Sequence, residues 1–276
     1  MNHKGWLRVL ALIIPYVLIV GGFQVLAMVI LGLDYANYDE HKSSIQEFII
    51  LVFNLLGTLL LLWNFMKYVD KEKFVDFGFH IKGRLKDFKI GIGIGVIAIS
   101  AGYVLLVFFN QIYFDKICFN FYELIISFSF FIIVAIVEEV LFRGYILKNF
   151  MLSFNKYVAL ALSSLLFTLV HTANPNFDSF AFFDLFMAGI LLGLSYIFTK
   201  NLWFPIALHF SWNFFQTHFG FNVSGQDFYS LIEFEIKEKN LLNGGEFGFE
   251  GSIFSIIFQI IAIFFIYNYF KKESKI

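Results

Sequence analysis

Long apolar runs, separated by short polar stretches, recur along the whole of this chain, and their length is the strongest constraint on its fold. A helix rises 1.5 Å per residue, so about 20 apolar residues cover the roughly 30 Å of hydrocarbon in a bilayer. Runs of this order fall at 6–33, 47–69, 88–112, 121–150, 156–173, 178–200, 202–218 and 252–270. The breaks near Asn155, Asn174-Pro175 and Asn201 are short enough to be tight turns between antiparallel neighbours. With 59% hydrophobic and 15% charged residues in 276, the composition is that of a polytopic membrane protein. The expected fold is therefore all-α, a helical bundle of about eight transmembrane helices.

Eight crossings return the chain to the side from which it started, and the basic residues choose that side. Of the 20 Lys and Arg residues, all but Lys42, Lys116, Lys237 and Lys239 fall on the side of the two termini. Positive charge accumulates on the cytoplasmic side, so both termini are expected there. The 219–251 loop, with Asp227, Glu233, Glu235, Glu238, Glu246 and Glu250, is then external. The first apolar run is too long for the core of a cleaved leader and reads as a retained span. A single cysteine, Cys118, excludes an internal disulfide and any cysteine-cluster metal site, and reads as a small packing residue. Gly91, Gly93 and Gly95 lack the strand context of a dinucleotide-binding turn, and, like Gly189 and Gly193, read as surfaces for close helix packing.

The fourth run ends on Glu138-Glu139-Val140-Leu141-Phe142-Arg143. A carboxylate in hydrocarbon costs several kcal/mol, roughly, so one found there has a partner and a task. Glu139 and Arg143 are four apart, acid before base, and neutralise each other on one helix face. Glu138 points about 100° away and needs a partner from another helix. Around a turn near Phe154, His171 reaches the same depth as Glu138. Phe167 lies one helical turn before His171, and His209 and Asn213 share a face of the seventh run. Asp184, in the sixth, reads as a structural or entrance residue. His3, His41, His80 and His218 lie at ends or in loops and read as surface residues. The chain divides into 1–120, three N-terminal spans; 121–219, a core of four spans; and 220–276, the acidic loop and last span.

Taken in order on membrane helices, Glu138-Glu139-x-x-x-Arg143, Phe167-x-x-x-His171 and His209-x-x-x-Asn213 resemble the motifs of the CPBP family of intramembrane proteases. That family takes in the type II CAAX prenyl endopeptidases, similar to the Ras-converting enzyme, and the bacterial Abi or bacteriocin-immunity proteins. The similarity runs from about Phe121 to Phe219. It implies an intramembrane endopeptidase in which Glu138 and His171 activate water, His209 and Asn213 stabilise the oxyanion, and Glu139, Arg143 and Phe167 support them. The substrate is expected to enter laterally or from the cytoplasmic side.

The same donors leave a metal open. Glu138, His171 and His209 with an open position would satisfy a zinc hydrolase, but no HExxH is present and a carboxamide at Asn213 suits an oxyanion better, so no cofactor is the expectation. Expected partners are the lipid bilayer and a protein or peptide substrate, which could carry a lipid; no nucleic-acid partner is expected. The expected setting is multi-pass, in a bacterial plasma membrane. A non-catalytic bacteriocin-immunity or scaffold protein is the principal alternative, and a transporter with Glu138 as proton carrier a further one.

Overall fold

A computed structural model describes residues 4–33 and 42–273; His3 and His41 lie outside them. Among the described residues eight helices follow in the expected order: α1 (Gly5–Ile30), α2 (Ser44–Asp70), α3 (Leu85–Phe108), α4 (Phe121–Ser153), α5 (Lys156–Val170), α6 (Ser179–Thr199), α7 (Trp203–His218) and α8 (Ile253–Glu273). Asparagine or aspartate begins three of them. Asn120 accepts from the Tyr122 and Glu123 amides, Asn155 from those of Tyr157 and Val158, and Asp178 from that of Ala181, which satisfies amides that lack an intrahelical acceptor.

Six of the eight, all except α5 and α7, are long and apolar enough to cross a membrane. Of the eight expected spans, α5 and α7 are the short ones, with 15 and 16 residues. At 1.5 Å per residue these reach only about 22–24 Å. α5 stops at Val170, short of the expected 173, because the chain turns there: the His171 amide bonds to the Thr168 carbonyl and that of Asn174 to the His171 carbonyl. Pro175, with no N–H to give, follows.

The basic ends of the helices gather at one end of the bundle. Arg8 of α1 pairs with Asp70 of α2 at 2.9 Å, Lys148 of α4 pairs with Glu72, and Lys86 of α3 lies over the Tyr269 ring of α8. The opposite end is built from loops. There β1 (Tyr113–Ile117) pairs antiparallel with β2 (Ile232–Glu235), a two-stranded ribbon that the apolar pattern did not announce. Tyr103, Phe219, Phe221 and Phe234 pack their rings beneath it. Two sequence readings fail at this end. The Cys118 thiol is half-buried and donates to Glu233 Oε1 at 3.1 Å instead of packing among apolar groups, and that carboxylate pushes the thiol above its usual range. His218 is buried, not at the surface, because Phe214 and Tyr229 cover its ring. His80 is exposed, as expected.

The glycine pattern acts as a packing surface, and α3 makes its most extensive contact with α7. A Cβ at Gly91 would stand 2.7 Å from the Phe204 carbonyl, and one at Gly95 would stand 2.7 Å from the Trp212 amide, whereas one at Gly93 would meet nothing within 4 Å. α3 and α7 therefore touch backbone to backbone, which fixes the helix that carries His209 and Asn213. Gly95→Val is expected to cost about 1–3 kcal/mol by overpacking. It should lower the thermal midpoint of the detergent-solubilised protein, whereas Gly93→Val leaves that midpoint near its parental value.

Candidate active site

Glu138 and Glu139 are the last two residues before α4 changes its winding. The helix is α up to Glu139, π over Val140–Leu147, and α again from Lys148 to Ser153. Such widened turns recur at functional sites. Every residue of this one is buried, so it is a device of the core.

Glu139 is fully buried, and its Oε1 accepts from Arg143 at 2.8 Å, as the four-residue spacing predicts. The same oxygen also accepts from His209 Nδ1 at 2.8 Å, a contact between α4 and α7 that no spacing within one helix could have revealed. Arg143 reaches further, donating to the Gly189 carbonyl of α6 at 3.1 Å while its guanidinium lies 4.7 Å from the Phe167 ring centre. One buried ion pair thus ties three helices and an aromatic ring together. A Cβ at Gly189 would press on Ser164, so the close α5–α6 approach and the exposed carbonyl that Arg143 uses have one cause.

Glu138 lies on the other face, as expected, and is partly open. Its Oε2 stands 3.9 Å from His171 Nε2 and 3.8 Å from His209 Nε2, with no hydrogen-bond partner of its own. Both imidazoles are oriented from behind. His171 Nδ1–H donates to the Phe167 carbonyl at 2.7 Å and His209 Nδ1–H to Glu139, which leaves a lone pair on each Nε2 when the rings are neutral. The Phe167 ring lies 4.7 Å from the His171 ring and 6.3 Å from that of His209. Three acceptors therefore converge at distances too long for a direct hydrogen bond. A small donor such as water fits their chemistry.

These groups open into a cavity of about 450 Å³, also lined by Asn213, which is four residues past His209 and mostly buried. The structure thus brings Glu138, His171, His209 and Asn213 to one place, with Glu139, Arg143 and Phe167 behind them. The far wall was not legible from the motifs. It contains Ser224 and Glu250 from the 219–251 loop and Gln259 from α8. Ser224 donates through its amide at 2.7 Å and its hydroxyl at 2.9 Å to Glu250 Oε2. Burial pushes the Glu250 carboxyl above its usual range, and the Ser224 hydrogen bonds oppose that. Asp184 is fully buried behind this wall and accepts from Gln259 Nε2 at 2.8 Å, a structural contact. Residues of the 219–251 loop line the cavity, so it extends towards the loop end of the bundle, opposite the basic ends.

The three residues of the zinc alternative, Glu138, His171 and His209, lie together, with Glu138 Oε2 at 3.9 and 3.8 Å from the two Nε2 atoms. Among the described residues no group of three His, Cys, Asp or Glu side chains stands in metal-binding geometry. Ligands on one tetrahedral zinc at about 2.0–2.1 Å stand about 3.3 Å from each other, closer than Glu138 stands to either imidazole.

No curated protein and no solved structure matches the chain. One family model does, over residues 120–215, from the asparagine that caps α4 to two residues beyond Asn213, so that it takes in all three motifs. That model is the type II CAAX prenyl endopeptidase, Rce1-like, family, to which those residues are similar.

Proposed function

We propose that this protein is an intramembrane endopeptidase that hydrolyses a peptide bond of a membrane-associated protein or peptide, with Glu138 and His171 activating water. The observation that carries the proposal is the unpartnered Glu138 Oε2 facing the Nε2 atoms of His171 and His209 at 3.9 and 3.8 Å. A water between them donates one hydrogen to the carboxylate and the other to His171 Nε2. As its oxygen attacks the amide carbon, the Glu138–His171 pair takes a proton, and the same pair returns it to the departing amine. The carbonyl oxygen becomes an oxyanion facing the Asn213 carboxamide and His209, which donates through Nε2 when it enters the step already protonated from solvent. Glu139 stabilises that imidazolium from its Nδ1 side.

The low-dielectric setting makes those donors effective, since losing one oxyanion donor commonly costs about 10²–10³ in turnover. Asn213→Ala should reduce kcat by about that factor with the protein still folded and inserted. Equal peptide cleavage by the purified variant and the parent would remove Asn213 from this role. A wider test compares membrane proteomes from cells carrying the parent and Glu138→Gln proteins. New peptide ends that depend on the carboxylate identify substrates, and their complete absence counts against proteolysis.

A further inference from the structure

The buried polar atoms around the cavity have an imbalance that the hydrolytic reading does not use. Gln259 Oε1 and, behind it, Asp184 Oδ1 are buried acceptors without a donor. Gln259 is fully buried, lines the cavity, and commits its amide nitrogen to Asp184 Oδ2 at 2.8 Å and Ser255 Oγ at 3.0 Å, so its carbonyl oxygen is what remains. Glu250 lies in the same wall. Among the described residues no Lys or Arg lines the cavity. The nearest buried cation, Arg143, is already paired with Glu139.

The excess of acceptors continues outward. A larger opening of about 780 Å³ at the loop end shares Phe131, Asn174 and Gln226 with the cavity, so the two adjoin. Among the described residues Glu47, Glu123 and Asp227 line it, against one basic residue, Lys42. Glu123 Oε2 is another buried acceptor without a donor. A site rich in buried acceptors is satisfied by a ligand rich in donors, and an ammonium or guanidinium group carries three to five of them with a compensating charge.

We propose that the wall formed by Glu250 and Gln259, with Asp184 behind it, is a substrate subsite for a basic side chain, and that the enzyme takes cationic peptide segments presented at the loop end. This rests on the proteolytic reading for its setting but not for its contacts. Glu250 binds the cation, Gln259 supplies a further acceptor, and the acidic opening attracts the segment before it enters.

The test uses the full-length protein in detergent with quenched fluorescent peptides that carry Lys, or Gln in its place, at successive positions along a neutral sequence. For at least one position the parent should show kcat/KM about tenfold or more higher with Lys, Glu250→Gln should bring the ratio towards one, and Glu250→Lys should reverse it. Binding of the same labelled peptides to Glu138→Gln, which removes turnover, gives a second reading. Lys peptides should bind more tightly there, and a Glu138→Gln/Glu250→Gln protein should lose the difference. Equal treatment of Lys and Gln peptides in both assays overturns the subsite, as does a Lys preference that survives Glu250→Gln. Glu138-dependent cleavage without a Lys preference leaves the protease and removes the subsite. A Glu250-dependent Lys preference in binding without any cleavage leaves the subsite and removes the protease.

Discussion

Glu138→Gln should reduce peptide hydrolysis by about 10³-fold or more at unchanged abundance in the membrane. The exchange keeps the side-chain volume, so the packing of α4 has no reason to fail. What it removes is the one carboxylate oxygen that faces both Nε2 atoms without a partner. An amide cannot take a proton from attacking water, and if its nitrogen turns inward it donates to an imidazole and fills the place where water binds. His171→Ala should have an effect of similar order, because the remaining carboxylate loses the group that shares the proton. The measurement is turnover of a cleaved peptide by purified variants, matched to folded protein by thermal unfolding. A scaffold or immunity protein gives the opposite result: its phenotype survives Glu138→Gln, since Glu139 and not Glu138 holds the helices together.

The same distinction shows how far sequence reasoning could go. Eight apolar runs gave the order of the helices, and i,i+4 spacing gave Glu139–Arg143, because both are local properties. The depth argument across the Phe154 turn brought Glu138 to His171, and the structure places them 3.9 Å apart. It worked because a tight turn leaves an antiparallel pair little freedom of register. The Glu139–His209 bond was not legible, since α7 is separated from α4 by two helices and no local rule sets their register. For the same reason Glu250, Ser224 and Gln259 were missed: each is an ordinary polar residue of a loop or last helix until the fold brings it to the cavity wall. His218 was misread as a surface residue because its place at a helix end gives no sign that the loop returns Tyr229 over it. Only the short length of α5 had a visible cause, in the Thr172–Pro175 turn.

Arg143→Met is expected to destabilise the protein by about 3–5 kcal/mol, the usual cost of leaving a buried charge without its counter-charge. The guanidinium is almost completely enclosed, as is the Glu139 carboxylate, and no solvent can take over when one is removed. The loss also frees the Gly189 carbonyl and the face of the Phe167 ring, so α4, α5 and α6 all lose a contact. A double-mutant cycle separates this from simple loss of packing. If the cost lies in the uncompensated Glu139 charge, Glu139→Gln/Arg143→Met is more stable than the sum of the single effects allows, by an interaction energy of about 1–3 kcal/mol. Additive effects would show that the pair is held by its surroundings. Activity should follow another rule, because Glu139 also holds His209 through Nδ1. The double variant can therefore regain stability and remain slow, since restoring charge balance inside the bundle does not restore the orientation of the imidazole that faces Glu138.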